Sequence, residues 1–285
     1  MKKLFFIPLA LSVVFVNGQS LSRKAVFAKG QQLERVASIK MTFAMEMMGQ
    51  SIDMNNNNTI TSLVEVKNAT DKDYALSSTV KRVVTSMSGM GQEMSYDSDK
   101  KDGAPNEMGQ KMAEMVGKTS NLTINTKGFI TASDDTTGGG AAAKAGGFMG
   151  MTGGLTNAAN KPGSSYDLIA NLPEKTLKVG DTWVDSTVSK EGKAVTNYKV
   201  LDIKGDEATV SMDGTVTQSG QTENNGMTIN LNIQGTSKGT FAMEVATGIV
   251  KKRNVLLDAT GTMDVAGQSA PFTMKLNMDE GVTKK

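Results

Sequence analysis

From Ile39 to Met47 the chain alternates, with Ile39, Met41, Phe43, Met45 and Met47 on one side and Lys40, Thr42, Ala44 and Glu46 on the other. A period of two marks a strand with one dry and one wet face. The pattern returns at Met227, Ile229, Leu231 and Ile233, at Phe241, Met243 and Val245, and at Phe272, Met274, Leu276 and Met278. Thr, Asn, Lys, Glu or Ala fills the places between. Shorter runs at Tyr74–Leu76, Tyr198–Val200 and Ala208–Met212 extend it. One-sided alternation predicts an antiparallel sheet, because parallel strands are buried on both faces.

Gly is followed by Gln at Gly49-Gln50, Gly91-Gln92, Gly220-Gln221 and Gly267-Gln268, and these pairs predict hairpin tips. From Pro105 to Lys118 the apolar spacing lengthens to four and three at Met108, Met112, Met115 and Val116, which predicts one short amphipathic helix laying a Met stripe on the sheet. Residues 136–163 are rich in Gly and Ala and read as a flexible linker or loop. A weak echo spans that stretch: Leu122–Ile130 and Phe241–Val250 each read strand, Gly turn, strand.

The opening Met1-Lys2-Lys3, the apolar run Leu4–Val16 and the small residue Gly18 predict a secretory signal peptide over 1–18, cleaved before Gln19. The expected organisation is then an N-terminal β half over 19–135, the linker over 136–163 and a C-terminal β half over 164–285. Without Lys2 and Lys3 the two signs of charge balance, which argues against a nucleic-acid partner. No later run has the length of a membrane helix. The expected location is the periplasm or outer envelope, and with no Cys the protein is not a Cys-linked lipoprotein.

The absence of both His and Cys removes imidazole and thiolate nucleophiles and the usual zinc ligands. Carboxylates at Asp134-Asp135, Asp181, Asp185 and Asp279-Glu280 form no convincing acid–base pair, since neighbours on a strand face opposite ways. The run Asp97–Gly103 has Lys101 and Asp102 where an EF-hand loop needs an oxygen ligand and Gly. No catalysis, no cofactor and no metal are expected. A single Trp, Trp183, and few Tyr argue against a sugar-binding platform.

The chain has 20 Met, and many of the apolar positions named above are among them. Met fills irregular cores, and it also lines adaptable sites for apolar ligands. Met41, Phe43, Met45, Met47, Met112, Met115 and Met243 are the candidate ligand-lining residues. Two functions follow. One is a non-enzymatic periplasmic protein that binds or carries a lipid, acyl chain or lipoprotein in a Met-rich cavity. The other is an envelope structural or protein-interaction β protein with a filled core.

Tyr166–Trp183 is the most distinctive string, above all its Leu172-Pro173 and Val179-Gly180-Asp181-Thr182-Trp183. In it the chain resembles an uncharacterised exported Bacteroidota family, domain of unknown function 6263. That resemblance implies an envelope location and a β-rich fold, and no activity. Read physically, Gly180-Asp181 is a tight turn and Trp183 a large anchor in the next strand. The expected fold is mainly β: long antiparallel strands in a strongly curved sheet or partly open barrel, similar to periplasmic lipid and lipoprotein carriers, with one short helix.

Overall fold

The computed structural model describes residues 20–47, 49–89, 91–100, 107–134, 160–188, 192–224, 227–265 and 267–285. The expected signal peptide, most of the expected linker, the side chain of Met47 and part of the Asp97–Gly103 run lie outside them. The strands are β1 (Gln32–Met47), β2 (Gln50–Ala69), β3 (Asp73–Gly89), β4 (Gln92–Asp97), β5 (Thr119–Asn125), β6 (Ile130–Ser133), β7 (Thr182–Val188), β8 (Gly192–Lys204), β9 (Glu207–Asn224), β10 (Met227–Glu244), β11 (Val250–Val265) and β12 (Gln268–Lys284). They form one antiparallel sheet in the order β6-β5-β3-β2-β1-β12-β11-β10-β9-β8-β7, with β4 paired to β3. The order does not close on itself. Each half is a meander, and the halves meet where β1 pairs with β12 from Leu33↔Lys284 to Met45↔Phe272.

The alternating runs all fall in strands. The two runs at Met227–Ile233 and Phe241–Val245 belong almost entirely to one strand, β10. Between them its inner positions are Gly235, Ser237 and Gly239, so the apolar signal lapses while the backbone pairing continues. Gly49, Gly91 and Gly267 sit at hairpin turns with positive φ, as expected. Gly220-Gln221 does not: it lies inside β9, with Gly220 opposite Leu231. The expected helix over 105–118 is not formed at that length. In its place is a seven-residue helical segment, Glu107–Ala113 (α1), followed by hydrogen-bonded turns ending at Gly117. The residues from Gln110 to Glu114 are good helix formers, but Gly117 with its positive φ ends the run after about two turns, and so short a helix is marginal by itself.

One face of the sheet is dry. A core made only of strand residues joins Met41, Phe43 and Met45 of β1 to Phe272, Met274 and Leu276 of β12, Leu257 of β11 and Leu231 and Ile233 of β10. Strands alone can bury that row only if the sheet curls over its own face. Inner glycines permit the bend. A Cβ at Gly239 would run into the Asn254 carbonyl oxygen and one at Gly261 into that of Asn232, so the strands approach there more closely than a side chain allows.

Candidate functional site

Beyond the strand-only core the inner face is covered by two irregular segments, residues 20–28 and 160–181. The bridge Leu21↔Leu177 joins them to each other, and Phe129↔Ser165 and Ile169↔Ile249 stitch the second to the hairpins of the sheet. The two halves of the sequence echo, which are hairpins β5–β6 and β10–β11, hold this cover from two sides. The Gly128 and Gly248 carbonyls accept hydrogen bonds from the amides of Tyr166 and Ala170. Both glycines have positive φ, and a side chain on either would strike the cover: Ile169 at Gly128, and the Lys24 carbonyl at Gly248.

Arg23 is the clasp of this cover. Its guanidinium donates to the carbonyls of Lys127 and Leu172 (3.0 Å each) and to Ser165 Oγ (2.9 Å), and lies 3.8 Å from the Phe129 ring centroid. Ser165 Oγ donates on to Asn171 Oδ1, and Asn171 Nδ2 donates to Asp185 Oδ2 at 2.6 Å. The Trp183 indole N–H donates to the Asn171 carbonyl at 3.2 Å, so the anchor expected from the sequence fastens the cover to β7. Leu168, Leu172 and Leu177 are almost fully buried beneath it.

A four-charge network lies where the cover crosses β1, β12 and β11. Arg35 pairs with Asp167 (2.6 Å) and with Glu280 (2.9 Å), Arg253 pairs with Glu280 (3.3 Å), and Arg253 also donates to the Asp167 carbonyl (2.6 Å). The Glu280 side chain has no exposed surface. Burial pulls the Arg35 pKa down, but Asp167 and Glu280 outweigh it and leave the guanidinium above the ordinary arginine range. Burial pushes the Asp167 carboxyl up, and Arg35 and Arg253 together hold it below the usual carboxylate range. Burial raises the Tyr166 hydroxyl far above its ordinary value. Two positive and two negative charges thus balance one another where the cover crosses the sheet, with the Arg35 Nε–Glu280 Oε1 contact an ion pair that lacks hydrogen-bond geometry.

Beside this network the cover does not reach the sheet, and a cavity of about 300 Å³ remains. Its roof is the cover from Ser165 to Asn171. Its walls are apolar, chiefly Tyr198, Met212, Phe241, Val255, Leu257 and Met278, with Arg253 and Asp167 at one side. Two small inner residues border the space, Ala194 of β8 and Ser237 of β10. The Tyr198 ring stacks on Trp183 (4.9 Å between centroids, 11° between planes) and meets Phe241 edge-on.

The candidate lining residues from the sequence fall in three places. Met41, Phe43 and Met45 are buried in the strand-only core, where Phe43 stacks on Phe272 at 5.1 Å. Met243 packs with Trp183 and Phe241 under the other end of the cover. Met112 and Met115 pack on Val83 beside α1. None of these six borders the cavity, whose methionines are Met212 and Met278. The candidate carboxylates are engaged elsewhere: Asp134 accepts from Asn121, Asp181 from the Lys178 amide, Asp185 from Asn171 and Asp279 from Asn254. Asp97 pairs with Arg82. Among the described residues no group of carboxylates could hold a metal ion, and no helix is long and apolar enough to cross a membrane.

The network of Arg35, Asp167, Arg253 and Glu280 escaped the sequence reading, although a signal was present. Arg35 and Glu280 stand at the inner phase of two alternating strands, between Leu33 and Ala37 and between Met278 and Val282. A charge in a dry phase asks for a buried partner.

A search of curated proteins gives no match. Among solved structures the chain is similar to lipovitellin, described for its lipid–protein interactions, with 12% identity and a TM-score of 0.48 over 90% of this chain. The chain spans about a quarter of that protein, 26% of its length. It is also similar to an outer membrane channel from Pseudomonas putida F1 (8% identity, TM-score 0.27, 91% of this chain and 98% of that one). A third is Pseudomonas aeruginosa OccK7 (7%, 0.25, 90% and 100%). In sequence, residues 71–138 and 158–250 match DUF6263, so both flanks of the cover and the Leu172–Trp183 string fall within the match, and the chain belongs to this family of unknown function.

Proposed function

We propose that this protein is a non-enzymatic binding or carrier protein, exported to the periplasm or outer envelope, that holds an apolar ligand between the cover and the inner face of its open sheet. The observation that carries this reading is the cavity of about 300 Å³ with apolar walls, roofed by a segment that many specific contacts hold in place. Cores ordinarily close such a space, and its size is at the lower end of small-molecule sites. Ala194 and Ser237 present little side-chain volume to it, although β10 carries Leu and Ile nearby.

The test is native mass spectrometry of protein purified gently from its own envelope, beside the variant Ala194→Leu, which puts a side chain into the cavity. A bound mass that organic extraction removes, and that the variant lacks, is the expected result. An empty wild-type protein that also shows no stabilisation by single-chain amphiphiles would overturn the reading and favour the structural or interaction alternative, which the stacking of Phe43 on Phe272 in a strand-only core suits. Export has its own test: N-terminal sequencing of mature protein should begin near Gln19, and recovery of Met1 would refute it.

A further inference from the structure

We infer that the ligand is a short single-chain amphiphile with an uncharged, hydroxyl-bearing or carbonyl-bearing head, held with its chain against Phe241, Val255 and Leu257 and its head toward Tyr198 and Arg253. This rests on the binding reading above and gives it a chemical class. Size is the first argument. A cavity of about 300 Å³ is at the lower end of small-molecule sites, so it suits a short single chain better than a two-chain lipid.

Charge is the second argument, and it is independent. Arg253 and Asp167 border the cavity, but each is already committed, Arg253 to Glu280 and Asp167 to Arg35. A carboxylate or phosphate ligand would share Arg253 with Glu280, whose side chain has no exposure to water, and so would weaken the pair that balances this buried charge. An ammonium ligand would set the same competition at Asp167 against Arg35. A neutral head needs neither exchange. Polar groups outside those ion pairs include hydroxyls around the cavity, on Ser237 and on Thr196 and Tyr198, which are hydrogen-bonded to one another, and each can donate or accept. Burial, and after it Asp185, raises the Tyr198 pKa, which keeps this hydroxyl a donor at neutral pH.

The single Trp supplies the readout, because Trp183 stacks on the cavity residue Tyr198. The full mature chain, stripped of lipid by organic extraction and refolded, is titrated at pH 7 with 1-decanol, decanoate and decylamine, which share a chain and differ in head charge. Trp183 fluorescence follows binding in wild type, in Ala194→Leu and in the milder Ser237→Val, with thermal unfolding confirming that each variant is folded. The expected result is saturable binding of decanol, tighter than decanoate and decylamine by about tenfold or more, because each charged head must disturb a buried pair. Both variants should weaken it. Decanoate or decylamine binding as tightly as decanol, and lost in the variants, would overturn the neutral-head inference and leave the cavity reading intact. Failure of all three to bind would overturn both, as would binding that neither variant affects.

Discussion

Along β10, Leu231 and Ile233 join a core filled by strand side chains, which borders an open cleft of about 630 Å³ at Ile233 and Phe272, whereas Ser237 only a few residues on borders the roofed cavity. Strand, sheet and inner face are the same in both places. In the filled region the neighbours across the sheet are large: Phe43, Phe272 and Leu257 interlock, and Phe43 and Phe272 stack. In the hollow region the inner places opposite one another are Gly214 with Ser237 and Val216 with Gly235, and a separate segment of chain roofs the gap. Alternation makes a face dry, but side-chain volume at the inner positions decides whether that face becomes core or container.

The largest test of this contrast is Phe272→Ala, which should cost about 3–5 kcal/mol in denaturant unfolding, because lost transfer energy is joined by a cavity term. Met212→Ala at the hollow should cost only about 1 kcal/mol, since a side chain beside an empty space has fewer neighbours to lose. Equal penalties would mean that the two regions are packed alike. Ala194→Leu sharpens the same point from the other side. An added side chain in a filled core costs about 1–3 kcal/mol, so a change within about 1 kcal/mol of wild type is expected here, and a loss of several would show that no room exists.

The smallest effect concerns the cover. The Asp167 pKa is depressed in the folded protein, so its ion pair stabilises fully above the ordinary carboxylate pKa and is lost as the pH falls through the folded value. Wild-type stability should therefore fall more steeply below about pH 4 than that of Asp167→Asn. Matching slopes in the two proteins would remove Asp167 from the account of how the cover is held.

The filled region was legible in the sequence because runs of successive inner positions there are large and apolar, as in Met41, Phe43, Met45 and in Phe272, Met274, Leu276. The hollow was not. Its sign is a lapse, the small residues from Gly235 to Gly239 between two apolar runs, and a lapse looks the same as a turn until the backbone is seen to continue. For the same reason Gly220-Gln221 passed for a hairpin tip, although Gly220 lacks the positive φ of Gly49, Gly91 and Gly267. The Met residues misdirect attention differently: their flexibility suits packing and binding equally, and only position relative to the cover separates Met212 and Met278 from Met41 and Met45. The cover itself is held by contacts between residues far apart in sequence, such as Arg23 with Leu172, which no local pattern announces.

The pairing of β1 with β12 has a consequence for the order of assembly. The two strands at the centre of the sheet are separated by about 220 residues of chain, so the most remote contact in sequence is also the seam that joins the halves. Each meander can form by adding neighbouring hairpins as it is synthesised. The β1 edge, with its alternating Met and Phe, then stays unpaired until the last strand arrives, and an apolar strand edge left open is a template for aggregation. A chain built this way depends, between the emergence of β1 and that of β12, on something else to shield that edge.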